Sequence, residues 1–387
     1  MSLVEFLTSP EAAAALSSLR ESGVDDPVKV VSSLRRTFDR DRAAALAELH
    51  AGRHLALAKF GASAPSLLYT RESLEQATPL PVARHRAARV AGVDLVADLG
   101  CGIGGDAIAF RAPVVGVDLD PAKLAMARHN VAVEGGELRP VRADVAQFIP
   151  FPVDVAFADP ARRDSSGRRI FDPEAFSPPL SVIVNRWRPV ATTLCVKVHP
   201  GYDRSTLPDG TEAEFVSLNR DMRECSLWFG AHAGRHPTRA TILPAGATLA
   251  GTPEAVSIPV GDMGPWLYEP DPAILRAGLV GDLAVALDLV GIDPRIAYLT
   301  GPGPLDNPFV TGFAVEDVVP FNRKRISTYL RTRDVGRVIV KKRGSPVDPA
   351  AFERSLQLHG GEERILVLTR VGGAPTAVVC FAQSDRA

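Results

Sequence analysis

Four apolar segments that each run into an aspartate constrain this chain more than any other feature. They are Leu95–Asp98, Val114–Asp118, Val141–Asp144 and Val153–Asp159. The first, second and fourth are followed by glycine, helix-start or proline signals, at Gly100, Asp120-Pro121 and Pro160. Short apolar runs alternating with helical periodicity are the pattern of a parallel sheet covered by helices. The carboxyl ends of such strands line up, so each acid faces one crevice. Open α/β sheets bind their ligands in that crevice.

The surrounding pattern extends this fold. A helix is expected from a Thr78-Pro79 cap to Ala91, a further one near 178–187, and a fifth strand near 192–198. Segments near 213–218, 224–229 and 239–243 read as hairpin-connected edge strands. Residues 1–75 read as helices, with Leu46, Leu49, Leu57 and Phe60 recurring at helical steps. Residues 250–310 are rich in glycine and proline, with helices expected at 272–277 and 281–290. From 313 the expected order is strand, helix 322–333, strand 336–342, helix 348–358 and strands 364–369 and 376–381. The resulting division is a helical region at 1–75, a nucleoside-binding domain at 76–245 and an α+β domain at 246–387.

Composition narrows the class without naming it. A chain of 387 residues allows two or three domains. The formal net charge is −1, so any contact with a polyanion must be local. Cys101, Cys195, Cys225 and Cys380 have neither metal-type nor paired spacing, which fits free thiols in a reducing compartment. The first residues show no basic n-region and no long apolar core, no segment reaches bilayer length, and the eight histidines lack metal spacing. The expectation is a cytoplasmic protein with no membrane and no metal; its oligomeric state is left open.

The loop after the first acid is Gly100-Cys101-Gly102-Ile103-Gly104-Gly105. Its glycines satisfy both a dinucleotide spacing (Gly100, Gly102, Gly105) and a second spacing (Gly100, Gly102, Gly104). The acids decide between them. A dinucleotide would put its pyrophosphate on the following helix start. Asp98 before the loop and Asp106 after it would repel that charge. S-adenosylmethionine carries an ammonium and a sulfonium but no phosphate. Opposite unit charges at 4 Å attract by roughly 4 kcal/mol at an effective dielectric near 20. Asp118, followed by Leu119, is set to accept two ribose hydroxyl hydrogens. Asn130 lies near the end of the next helix, and Asp144 with Val145 can meet an adenine edge.

The segments Asp98-Leu-Gly-Cys-Gly-Ile-Gly, Gly116-Val-Asp-Leu-Asp and Asp159-Pro-Ala-Arg resemble successive motifs of class I, Rossmann-like, S-adenosylmethionine-dependent methyltransferases. The resemblance covers residues 76–245. Leu74–Thr78 and the run from Tyr268 to Gly278 are similar to bacterial methyltransferases with a C-terminal THUMP-like domain. The implied fold is α/β: a Rossmann-like methyltransferase sheet with an N-terminal helical region and a C-terminal α+β domain. The implied cofactor is S-adenosylmethionine. The THUMP name implies RNA as a partner.

Asp159-Pro160-Ala161-Arg162 occupies the place where amino-methylating relatives carry Asn/Asp-Pro-Pro-aromatic. There the acid and a following backbone carbonyl accept hydrogens from an exocyclic amino group. Asp159 and Pro160 are therefore candidate catalytic residues, with Arg162 in the aromatic's place. Arginine can stack on a base or bind phosphate. Ala161 and Arg162 depart from the pattern and leave the methylated atom open. Arg162, Arg163, Arg168 and Arg169 crowd this loop and would meet a polyanionic substrate. A second basic run includes Arg323, Lys324, Arg325, Lys341 and Lys342. The expected activity is methylation of a ribosomal or transfer RNA base. The alternatives are a small-molecule or protein methyltransferase, or a non-catalytic RNA-associated protein that keeps the cofactor.

Overall fold

A computed structural model of the chain describes residues 2–162, 168 and 170–381. It divides into two compact units, one of Met1–Glu212 with Glu224–Arg235, the other of Ala213–Arg223 with His236–Ala387.

The first seven strands are β1 (Val96–Leu99), β2 (Val114–Asp118), β3 (Leu138–Arg142), β4 (Val153–Ala158), β5 (Ala191–Val198), β6 (Thr211–Leu218) and β7 (Asp221–Gly230). In the first unit the order is β3-β2-β1-β4-β5-β7. Neighbours from β3 to β5 are parallel, and β7 runs antiparallel to β5. β6 belongs chiefly to the second unit.

The strand order reverses direction between β1 and β4. This switch point opens a crevice at their carboxyl ends. All four residues of β1 are buried, as expected of a strand covered on both faces. The helix Pro121–Val133 returns the chain from β2 to β3. Asp120 caps it, accepting from the amides of Ala122 and Lys123, and Pro121 supplies the pre-set first turn.

The N-terminal helices join the same core. The longest, Arg40–Phe60, is capped by Asp39. Phe6, Leu46 and Phe60 pack in one buried cluster with Val96, Val114 and Phe157. The helix Leu80–Arg89 begins one residue later than Thr78 predicts. Its N-cap is Pro79, and no side chain caps it. The Thr78 hydroxyl instead donates to Asp106, 3.0 Å away. A buried carboxylate outcompetes the helix end for that hydroxyl.

In the second unit β6 pairs parallel with β8 (Thr238–Leu243), which pairs antiparallel with β9 (Ala247–Gly251). A larger sheet follows, from β10 (Trp266–Pro270), β11 (Val290–Asp293), β12 (Ile296–Gly301), β13 (Val310–Pro320), β14 (Val335–Lys342), β15 (Glu362–Val371) and β16 (Ala374–Phe381). Its order is β11-β12-β10-β13-β16-β15-β14, antiparallel except for β14 beside β15. Leu366 and Leu368 of β15 face the helices Arg323–Arg331 and Pro349–Leu356 through Ile326, Leu330, Phe352 and Leu356. Ile365 and Val367 point the other way, towards Tyr298 and Phe313, as the two-residue strand period requires.

Strands β9 to β12 escape the sequence reading. The helix expected at 281–290 ends at Ala286, and β11 follows at Val290. β11 is only four residues long and β10 ends in proline. Local glycine and proline density hides both.

Candidate active site

At the carboxyl ends of β1, β2 and β4 lies a cavity of about 310 Å³. The glycine loop forms its floor. The amides of Gly100 and Cys101 both donate to the Val117 carbonyl, at 2.8 and 3.0 Å. This folds the loop back over β2. Gly100 sits at φ +83°, a left-handed conformation open to glycine at little cost.

The acid at the end of β2 is fixed from two sides. The Gly102 amide donates to Asp118 Oδ2 at 3.0 Å, and the Asp120 amide donates to Oδ1 at 2.9 Å. Asp144 is held by the Ala146 amide at 2.9 Å. Asp98, Gly100, Gly102, Asp118, Leu119, Asp144, Val145, Asp159 and Pro160 all line this single cavity. Gly104 lies behind the floor instead, where a Cβ would meet the backbone of Ala127 at 3.2 Å.

Asn130 stands apart from the cavity and is 2% exposed. Its amide nitrogen donates to the carbonyls of Leu68 and Ile103, and its oxygen accepts from the Leu68 amide. It braces the N-terminal region against the glycine loop, which consumes the groups a ligand would need.

Asp98 is 1% exposed, and its Oδ2 has no hydrogen-bond partner among the described residues. Burial, reinforced by the carboxylates of Asp106 and Asp159, pushes its carboxyl well above the ordinary range. An unsatisfied buried acid on the wall of a cavity is costly unless a cation or donor arrives there. Asp106 goes the other way. Burial opposes it, but Lys197 and Arg86, with hydrogen bonds from Arg86 and Thr78, pull its carboxyl down to about 2. Arg86 bridges Asp106 and Glu224 within the buried interior.

Lys197 of β5 was not foreseen. It is 4% exposed, and its Nζ lies 2.5 Å from Asp159 Oδ2, 2.8 Å from Thr78 Oγ1 and 3.5 Å from Asp106 Oδ2. Burial pulls its ammonium down, but the acids around it outweigh that and hold it above the usual lysine value. A sequence signal existed. Lys197 interrupts the apolar run Leu194–Val198, and a lysine inside a central strand needs a buried acid for partner.

Arg162 does not line the cavity. Its Nη1 donates to the Val198 carbonyl at 3.2 Å, and its Nη2 lies 3.6 Å from Asp159 Oδ1. Arg168 is exposed, while Arg163 and Arg169 lie outside the described residues.

The second basic run divides. Lys341 pairs with Glu269 at 2.7 Å, Arg337 with Glu363 and Arg333 with Glu316. Arg323, Lys324, Arg325 and Lys342 are exposed, with no ion pair among the described residues. The first three occupy the opening turn of the helix Arg323–Arg331, where the helix dipole disfavours cations.

The cavity suits S-adenosylmethionine. Asp98 offers an unpaired carboxyl oxygen to a cation, Asp118 a fixed acceptor, and the open space beside Gly102 admits a ligand against the backbone. A family model described as THUMP domain-like matches residues 310–382. Two relatives, from Mycobacterium tuberculosis strains CDC 1551 and H37Rv, are uncharacterised S-adenosylmethionine-dependent methyltransferases. Each is 38% identical over 356 residues, covering 88% of this chain and 97% of its own length. A crystal structure of a candidate methyltransferase from Porphyromonas gingivalis W83 shares the fold, with a TM-score of 0.77 at 20% identity, covering 96% of this chain and 97% of that one. With relatives this similar over nearly their whole length, the chain belongs to the S-adenosylmethionine-dependent methyltransferases.

Proposed function

We propose that this methyltransferase modifies a base of ribosomal or transfer RNA in the cytoplasm. The observation that carries the reading is the set of unpaired cations in the THUMP-like part of the chain. Arg323, Lys324, Arg325 and Lys342 lack carboxylate partners among the described residues, and three crowd a helix start that repels them. A polyanion supplies the missing countercharge and gains from counterion release. Arg162, Arg163, Arg168 and Arg169 add positive charge after β4. The four cysteines are buried and form no disulfide among the described residues, which supports a reducing compartment.

Bound S-adenosylmethionine supplies a methyl group activated by a positive sulfur. In this reading Asp98 faces the ligand's ammonium, and Asp118 accepts the ribose hydroxyl hydrogens. Leu119, 64% exposed, with Asp144 and Val145 receives the adenine ring. Asp159 and the Pro160 carbonyl accept hydrogens from a target amino group and hold its nitrogen in line with the methyl. Positioning of this kind can lower a barrier by about 7–11 kcal/mol. The working division is a bracing region at 1–75, cofactor and chemistry in 76–245, and substrate holding in 246–387.

Tritiated methyl transfer to undermethylated total RNA tests the proposal. Label is expected in RNA, Asp159→Ala is expected to abolish transfer, and RNA affinity is expected to fall steeply with salt. Replacing Arg323, Lys324 and Arg325 by glutamate should weaken RNA binding more than tenfold with cofactor binding unchanged. Label confined to protein or small molecules, or a salt-insensitive RNA affinity, contradicts it.

A further inference from the structure

We propose that Lys197 is a positioning residue for methyl transfer, fixing which oxygen of Asp159 meets the substrate and keeping that group a hydrogen-bond acceptor. This rests on the reading of Asp159 as the acceptor of the target amino group.

The geometry gives Lys197 one bond to spare for Asp159. Its ammonium donates to Thr78 and Asp159, and Asp106 Oδ2 lies 3.5 Å away as a further ion-pair partner. Behind it the charges already balance. Arg86 and Lys197 face Asp106 and Glu224, and the Thr78 hydroxyl passes its own hydrogen on to Asp106 at 3.0 Å. Asp159 is the surplus acid. Its side chain is 23% exposed and lines the cavity, whereas Lys197 and Arg86 are buried and do not line it. A purely structural pair would have no reason to aim one member at the ligand.

The pairing has a chemical consequence. Lys197 takes Oδ2, so Oδ1 is the oxygen left for substrate, with Arg162 3.6 Å from it. In the transfer, the target nitrogen's lone pair forms the new N–C bond. The C–S bond breaks and its electron pair stays on sulfur, leaving a neutral thioether. The surplus proton on nitrogen passes to water, because Lys197 already holds its full complement. Asp159 must accept N–H during this step. A protonated Asp159 would instead donate to the lone pair and block attack. Asp98 from β1, Asp106 from the glycine loop and Glu224 from β7 surround the pair with acids. Arg86, from the helix Leu80–Arg89, and Arg162 are the other cations near it. Without Lys197 the carboxyl loses the cation bonded to its Oδ2, with these acids still around it.

The test uses the full chain and three variants: Lys197→Met, Asp159→Asn and the double variant. Lys197→Met is expected to keep S-adenosylhomocysteine affinity within threefold and to lower kcat about 100-fold. The acid limb of its kcat–pH profile should move up by at least one pH unit. In the Asp159→Asn background, adding Lys197→Met should cost nothing further. A crystal structure of Lys197→Met should have the Asp159 carboxyl turned from its wild-type position, a readout independent of which molecule accepts the methyl. If Lys197→Met does not fold, Thr78→Val, which removes one of the ammonium's two hydrogen-bond acceptors, should give a smaller loss in the same direction. Wild-type kcat, acid limb and Asp159 position in the folded variant, or effects that multiply in the double variant, overturn the proposal. If Asp159→Asn keeps wild-type kcat, the reading of Asp159 has failed, and Lys197 with it. If Asp159→Asn is inactive and Lys197→Met is normal, only the role of Lys197 falls.

Discussion

Asp98 and Lys197 carry buried charge chemistry in opposite senses. Lys197 is satisfied by the side chains of Thr78 and Asp159, while Asp98 leaves Oδ2 unpartnered among the described residues. The sign of the Asp98 effect on stability follows from its raised carboxyl. Below the ordinary carboxylate range both folded and unfolded states hold the proton, and no penalty arises. As pH rises through that range, the unfolded chain ionises first and stability is lost. Asp106 has the opposite sign: its contribution is present above the ordinary carboxylate value and lost as pH falls through about 2. Asp98→Asn should therefore stabilise the apo-protein by about 1–2 kcal/mol at pH 7.5, a gain that shrinks towards pH 4. The same variant should lose cofactor affinity. Thermal melting at both pH values measures this, and an Asp98→Asn protein that melts at or below wild type at pH 7.5 contradicts the assignment. Asp98 was legible because it precedes a glycine array. Lys197 belongs to no motif, and its partner Thr78 was read as a helix cap because the rival acceptor, Asp106, is distant in sequence.

At the level of elements, the glycine loop does two jobs with different glycines. Gly102 has φ +53° and open space where a Cβ would point. Gly104 has φ +78° and a helix backbone only 3.2 Å from a Cβ. Gly104→Ala should cost roughly 2–4 kcal/mol, backbone strain plus overpacking against Pro121–Val133. Gly102→Ala should cost about 1 kcal/mol and act mainly on cofactor affinity. Denaturant melts with cofactor titrations separate the two, and equal destabilisation by both contradicts the division. Strands β1, β2, β4 and β5 were readable because burial on both faces makes them predominantly apolar. The region from β9 to β12 was not, since its strands are four to six residues long and set among glycine and proline turns.

Across the whole molecule, each unit carries one part of the account. The first holds the acid-lined cavity and the Lys197 network; the second holds the THUMP-like sheet and its unpaired cations. The cavity was largely legible, because strand-end acids and glycines fall at spacings set by the parallel fold. The basic run was legible only as composition. Its ion pairs join residues far apart in sequence, such as Lys341 with Glu269, so the sequence could not separate neutralised cations from available ones. The central claim is that the glycine-floored cavity, with Asp118 as its fixed acceptor, holds the cofactor. Calorimetric titration of the full chain with S-adenosylhomocysteine tests it most directly. One saturable site is predicted for wild type, with affinity reduced at least tenfold in Asp118→Ala at unchanged secondary structure. Absence of binding by wild type, or undiminished binding by Asp118→Ala, would contradict it.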